Sequence, residues 1–302
     1  MFRLLSKESN IFSIPVYIGV LLLIVIGFNF LDFNTLDVIS AIVTFGGVAL
    51  GYFCINAIAL NHQSHLPLFL YTAFIFAIYP GDLDIGIAIS LFTNSIILLL
   101  LTNVNMSVRK NSYLLVGTIL AFNFIFLPTT WPMSIFVILH IIGTSDRAGL
   151  HFFRLFFGMF LVASSYFGIA YILGMNSWDP AYFPFSDFQV STNLHRYLWL
   201  IPIVLMIIYA IFDHFRHFNQ KSPTSKFKYS FLLIFSLAQL VTVVMYMGNN
   251  YEYLLLLALP TSIIISRMLR FLPKYWMKEF GFWLLIICLF FFKLANYFNF
   301  NI

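Results

Sequence analysis

Long apolar stretches follow one another along almost the whole chain, separated only by short clusters of polar residues, proline or glycine. Read from that punctuation they fall at 11–30, 38–60, 66–79, 85–102, 113–128, 133–144, 152–174, 197–212, 229–247, 254–266 and 280–298. A helix crosses the hydrocarbon of a bilayer with roughly 20 apolar residues, and most of these stretches are of that order. A single soluble core could not absorb them: of 302 residues, 61% are hydrophobic and only 9% charged, whereas soluble domains are about a quarter charged. The surplus must face lipid, because in water it would form aggregating apolar patches. The expectation is an all-α, polytopic transmembrane helical bundle of about 11 membrane segments, with a range of roughly 9–12. Residues 1–302 are read as one integral membrane domain. The stretches near 66, 133 and 254 are shorter than a crossing and are expected to be tilted, broken or re-entrant.

Charge gives the orientation. Lys and Arg in short loops stay on the cytoplasmic side. With the N-terminus inside, the cytoplasmic segments carry Arg3, Lys7, Arg109, Lys110, Arg147, Arg154, Arg216, Lys221, Lys226, Lys228, Arg267, Arg270, Lys274 and Lys278, and only Arg196 and Lys293 fall elsewhere. The C-terminus is then periplasmic. Lys293 lies inside the last apolar stretch and is expected to snorkel towards the outer interface. The net charge of +5 is accounted for by orientation, since the cations form no stripe suited to nucleic acid. The basic inner loop 213–228 suits anionic lipid head groups. Cys54 and Cys288 both lie in apolar stretches, where a disulfide framework is not expected. The first stretch follows Arg3 and Lys7 as a secretory signal would, but Asn29-Phe30-Leu31-Asp32 offers no small-residue cleavage site, so it is read as a permanent span.

One stretch is more specific: Leu60-Asn61-His62-Gln63-Ser64-His65-Leu66-Pro67, then Leu70-Tyr71 and an apolar run to Tyr79-Pro80. Together with the basic, serine-containing N-terminus, it resembles an uncharacterised family of Bacteroidota polytopic inner-membrane proteins, a domain of unknown function. The resemblance implies a multi-pass protein of a bacterial inner membrane and supplies no catalytic residues. Related proteins sometimes carry a carotenoid-cleaving oxygenase label, which the histidines below would have to support.

Three constellations could carry chemistry. The first is the outer carboxylate set: Asp32 and Asp37 after the first stretch, and Asp82 and Asp84 in Pro80-Gly81-Asp82-Leu83-Asp84. Converging at the outer face, they would serve as base or divalent-metal ligands. The layout is similar to that of GT-C-type glycosyltransferases, which take sugars from polyprenyl phosphate carriers. The plainer reading is that aspartates in turns cap helices. The second is histidine: His62 with His65, and His214 with His217, each spaced as H-x-x-H and able to ligate iron or zinc. Such pairs arise easily by chance on a wet helix end, and no metal is favoured. The third is Asp179, Asp187, His195 and Arg196 in the longest outer loop, where Arg196 could bind a lipid-carrier phosphate. Gly47-Val48-Ala49-Leu50-Gly51 is a G-x-x-x-G spacing and reads as helix packing.

No nucleotide-binding loop is present, neither G-x-x-x-x-G-K-[ST] nor G-x-G-x-x-G. The leading functional expectation is an enzyme handling a lipid-linked substrate at the outer face, transferring a sugar from polyprenyl phosphate. In it the outer aspartates act as base or metal ligands, and Arg196, His195 and Asp179 hold the substrate. Three other classes stay open: a carrier built on breaks at Pro80-Gly81 and Pro260, a non-catalytic subunit of a cell-envelope assembly working with other membrane proteins, and a histidine-rich non-haem iron oxygenase. The residues do not decide whether the chain is an enzyme.

Overall fold

The computed structural model describes residues 1–7, 13–29, 35–58, 64–81, 83–103, 105–145, 147–175, 184 and 196–295. For 35–37, 106, 107, 110, 196 and 220 it describes the backbone only. The regular elements among these residues are helices: α1 (Phe2–Leu5), α2 (Ser13–Asn29), α3 (Thr35–Ile58), α4 (His65–Ile78), α5 (Ile85–Leu101), α6 (Met106–Asn111), α7 (Tyr113–Phe126), α8 (Pro132–Thr144), α9 (Ala148–Ile172), α10 (Ile201–Arg216), α11 (Pro223–Tyr246), α12 (Leu255–Phe271) and α13 (Tyr275–Leu294). Among the described residues, five helical runs are long and apolar enough to cross a membrane: Val38–Ile58, Ala148–Ile172, Tyr197–Arg216, Pro223–Tyr246 and Tyr251–Phe271. Helices α2, α4, α5 and α7 are apolar but shorter. The outer surface matches: Phe153, Phe160, Ile172, Leu205, Phe212 and Val244 are all exposed, as lipid-facing side chains must be once backbone polar groups are satisfied inside helices. The chain is built as a membrane-spanning protein.

Contacts sort the helix ends into two sets. At one end the His65 amide donates to the Lys7 carbonyl (3.3 Å), Lys228 Nζ donates to the Ala57 and Ile58 carbonyls that finish α3 (3.0 and 3.3 Å), and Arg109 lies 4.6 Å over the Phe227 ring. At the other, the Asn29 amide donates to the Tyr79 hydroxyl (2.7 Å), the Asp84 amide to Glu252 (3.2 Å) and Trp131 Nε1 to the Tyr246 hydroxyl (2.7 Å). The helices joined by these contacts alternate in direction, and the basic residues collect at the first set of ends.

Helix α12 is the axis of the bundle. Its apolar window is 78% buried, against 17% for α9 and 22% for α10, which lie at the periphery. Around α12 pack α4, α5, α10, α11 and α13. Peripheral α9 is held chiefly by α7, where Gly117 and Gly158 let the backbones meet: a Cβ at Gly117 would lie 2.9 Å from the Leu155 carbonyl carbon, and one at Gly158 3.0 Å from the Thr118 amide nitrogen. Small residues are what such close approach in lipid requires.

Two sequence expectations change. The stretch near 254 is neither short nor broken: a 3-10 turn, Tyr251–Leu254, leads into α12, which runs through Pro260 to Phe271. Neighbours surround Pro260, and the hydroxyls of Thr261 and Ser262 donate to the Leu257 and Leu259 carbonyls nearby (2.7 and 2.8 Å), the kind of support that lets proline persist within a membrane helix. Pro80-Gly81, in contrast, is a true break. It forms the tight connection from α4 to α5, with Gly81 at φ +114° against the Phe28 carbonyl, where a side chain would be strained as well as crowded. The second change is Lys293, which does not snorkel outwards: it is 8% exposed, donates to the Tyr79 carbonyl at 2.6 Å and lies 4.2 Å over the Phe28 ring.

Candidate functional site

The expected outer-face residues are only partly in view. Asp32, Asp82, Asp179, Asp187 and His195 lie outside the described residues, as does His62. Asp37 falls in the first turn of α3 and Arg196 opens a 3-10 turn before α10, with neither side chain described. Asp84 is fully placed and its geometry is that of an N-cap: Oδ1 accepts from the Gly86 amide at 2.6 Å, at the start of α5. Glu252, from the turn before α12, accepts from the Asp84 backbone amide, so the two acids share one corner. If Asp84 serves as a cap, Asp84→Ala should lower stability by about 1 kcal/mol and Asp84→Asn should cost little, since asparagine caps as well. Thermal unfolding in detergent reads both, and an Asn variant as unstable as the Ala variant would remove the capping assignment.

Among the described residues, His65, His214 and His217 do not form a common ligand set. No group of three or more His, Cys, Asp or Glu among the described residues could hold a metal ion. The His65 ring lies 6.2 Å from that of Tyr17. His214 lies in the last turn of α10 and His217 caps it, with different partners: His217 Nδ1 pairs with Asp213 Oδ1 (2.9 Å), whereas His214 is buried, its ring 4.3 Å from that of Tyr229.

That end of α10 forms one wall of a polar site. A cavity of about 440 Å³, open on one side, lies at the basic end between α10, the start of α11 and the end of α12. Asp213, His217, Lys221, Ser222, Ser225, Arg267 and Phe271 line it. The local sequence explains the shape. Arg216 and the following polar residues end α10, a 3-10 turn (Phe218–Gln220) reverses the chain, and Ser222-Pro223 restarts it as α11. Ser222 Oγ accepts from the Ser225 amide as the N-cap, and Pro223 occupies the first turn, where a missing N–H costs nothing.

Arg267 is the floor of the site. It is 8% exposed, its guanidinium stacked 4.5 Å above the Tyr229 ring and 5.8 Å from that of Phe271. Nη2 donates to Ser225 Oγ (3.2 Å), and Nη1 is buried with no hydrogen-bond partner. A buried guanidinium nitrogen without a protein acceptor is costly. Lys221 Nζ crosses the site to His214, donating to its carbonyl (3.2 Å) and meeting Nδ1 at 3.1 Å. Burial first, then the nearby Arg267 charge, holds the Lys221 ammonium below the usual lysine range, with Asp213 acting the other way. Across the site Lys221 and Arg267 outweigh Asp213, which is itself paired with His217. The cavity therefore favours an anion.

Sequence reasoning places these residues but assigns them otherwise: Arg267 and Lys221 as orientation charges, His214 and His217 as weak metal candidates. A second cavity of similar volume at the same end, lined by Phe2, Arg3, Ser6, Tyr275 and Lys278, is also basic, but its Arg3 is exposed and needs no partner.

Comparison with known proteins adds the family and nothing on activity. No curated protein and no solved structure matches the chain. A family model described as a family of unknown function (DUF6427) matches residues 1–300, so the chain belongs to that family.

Proposed function

We propose that this protein is a multi-pass protein of a bacterial inner membrane, its alternating helices crossing about eleven times with the basic ends cytoplasmic, and that it handles an amphiphilic, lipid-linked substrate. The observation supporting this reading is the α10–α11–α12 cavity. It is cationic inside, it lies at the ends of helices read here as membrane spans, and exposed apolar side chains of α10 such as Leu205 and Phe212 lie on the helix that forms its wall. Such a site suits a molecule with a charged head and an apolar tail. Glycosyl transfer from polyprenyl phosphate would use the aspartates expected at the outer face, Asp32, Asp37, Asp82 and Asp84. One short substrate head group cannot occupy both ends, and the built cationic site favours the basic one.

The test is to purify the protein from its native membrane without added lipid and identify bound amphiphiles by native mass spectrometry. The expected result is an anionic amphiphile enriched over bulk lipid and retained through detergent exchange. A bound fraction with the composition of bulk lipid would refute the reading.

A second reading, a carrier, is supported by a different observation. The side-chain amides of Asn94 on α5 and Gln239 on α11 are buried with both nitrogen and oxygen unpaired, and unpaired polar groups inside a membrane bundle mark pathways as well as packing. Substrate-dependent flux in proteoliposomes would shift the assignment to a carrier.

A further inference from the structure

We propose that the α10–α11–α12 cavity binds a phosphate group, either the phosphomonoester or diphosphate head of a lipid or a free phosphate compound. The inference rests on the reading above, that the substrate is anionic and held at the basic end, and goes further by naming the anion.

Three independent features converge on tetrahedral oxyanion chemistry. The first is Arg267, which lines the cavity with Nη2 fixed by Ser225, its guanidinium plane fixed by Tyr229, and Nη1 buried without a protein acceptor. A planar fork anchored in this way suits bidentate or bridging contact with a phosphate. The second is Lys221. His214 uses two of the three ammonium donors, which leaves one for a ligand. The third is the start of α11, a long helix capped by Ser222, whose first turn and serine hydroxyls border the same space. Helix N-termini carry partial positive charge and orphan N–H groups that suit phosphate.

Geometry separates phosphate from carboxylate. The donors arrive from three directions: the end of α12, the loop after α10 and the start of α11. A carboxylate offers two coplanar oxygens, whereas a phosphate offers three or more oxygens in a tetrahedral array that can meet all three walls. Asp213 opposes any anion, but its pairing with His217 turns part of that charge away. Phe271 is an exposed apolar residue at the rim, where the tail of a lipid phosphate would pass.

The experiment uses the full chain in detergent and in nanodiscs, with inorganic pyrophosphate as the soluble probe and phosphatidic acid as the lipid probe, and with acetate and phosphatidylcholine as their counterparts. Binding is read by calorimetry for the soluble probes and by thermal protection for the lipids. Pyrophosphate or phosphatidic acid should bind, and acetate and phosphatidylcholine should not. Arg267→Gln should weaken binding by about tenfold or more, the loss of a charge-assisted contact. Lys221→Gln should weaken it several-fold, on the order of one further hydrogen bond to a charged group. Arg216→Gln removes the same charge from an exposed position that does not line the cavity and should leave affinity unchanged. If Arg267→Gln fails to fold, Lys221→Gln and Ser225→Ala carry the test.

Binding of pyrophosphate alone identifies a free phosphate ligand, binding of phosphatidic acid alone a lipid phosphate, and both results support the site. Unchanged affinity in folded Arg267→Gln and Lys221→Gln protein, equal losses from Arg216→Gln, or acetate binding as well as pyrophosphate overturns it. The two proposals fail separately. An anionic amphiphile that co-purifies while neither phosphate probe binds leaves the substrate reading intact and ends the phosphate assignment. Arg267-dependent pyrophosphate binding without any co-purifying amphiphile does the reverse.

Discussion

Gly117→Leu is expected to unseat α9 from the bundle. The side chain would have to grow into the Leu155 carbonyl, which is backbone and cannot rotate aside, and the reciprocal contact of Gly158 with α7 leaves no room for the helices to slide. Overpacking a core costs about 1–3 kcal/mol and occasionally more. Here the obstacle is rigid and α9 has little other attachment, so a loss near the top of that range, about 3 kcal/mol, is expected. Gly168→Leu lies on the same helix with nothing within 4 Å of its Cβ and should be neutral. Thermal unfolding in detergent measures both. Maleimide labelling at Leu155→Cys, a position that is fully buried in the docked state, reports whether α9 has come away. Equal melting temperatures for Gly117→Leu and Gly168→Leu would show that the α7–α9 contact does not hold the helix.

That contact also marks what the chain discloses before folding and what it withholds. Gly47 and Gly51 stand out because their spacing puts both on one helix face, and both are indeed at close contacts. However, they meet different partners: Gly47 lies against the α5 backbone, where a Cβ would stand 2.8 Å from the Phe92 amide nitrogen, and Gly51 against the Tyr71 ring. The α7–α9 crossing uses Gly117 and Gly158, one on each helix, and no G-x-x-x-G spacing within either helix announces it. Hydropathy is local and therefore legible, which is why the apolar stretches and the helices coincide so closely. Pairing between helices is not local. Asp84 is legible in the plain sense, as an acid in a turn before a helix, and it caps that helix.

The same division runs through the candidate site. A positive residue after an apolar run is ordinarily the wet end of a span, and on that ground the stretch from 254 ends at 266, just before Arg267. The helix instead continues to Phe271, with the flat guanidinium of Arg267 stacked on Tyr229 from α11. Tyr229 and Arg267 are brought together only by the α11–α12 packing, so neither residue alone signals a cavity. The His214–Lys221 contact is closer in sequence but depends on the reversal at Phe218–Gln220, which polar composition predicts without giving its shape.

Lys293→Met should cost roughly 1.5–3 kcal/mol, the range for a lost hydrogen bond to a charged group. The ammonium closes the end of α4 by donating to the Tyr79 carbonyl, which follows the last helical residue and is followed by Pro80. Proline has no N–H, and the turn at Gly81 leads the chain away, so the lysine supplies a donor in a buried corner. The Phe28 ring beneath it adds a cation–π contact that methionine cannot replace. Lys228→Met removes a similar cap, from the Ala57 and Ile58 carbonyls, but at a more exposed position where water can substitute, so it should cost less than about 1 kcal/mol. Lys293→Arg keeps the charge but adds bulk at a site only 8% exposed and should also destabilise. A snorkelling lysine predicts the opposite order: its head would lie in water, methionine would be tolerated and arginine would be as good as lysine. Melting temperatures of the three variants in one detergent distinguish the two arrangements, and a Lys293→Met protein as stable as wild type would return Lys293 to the membrane surface.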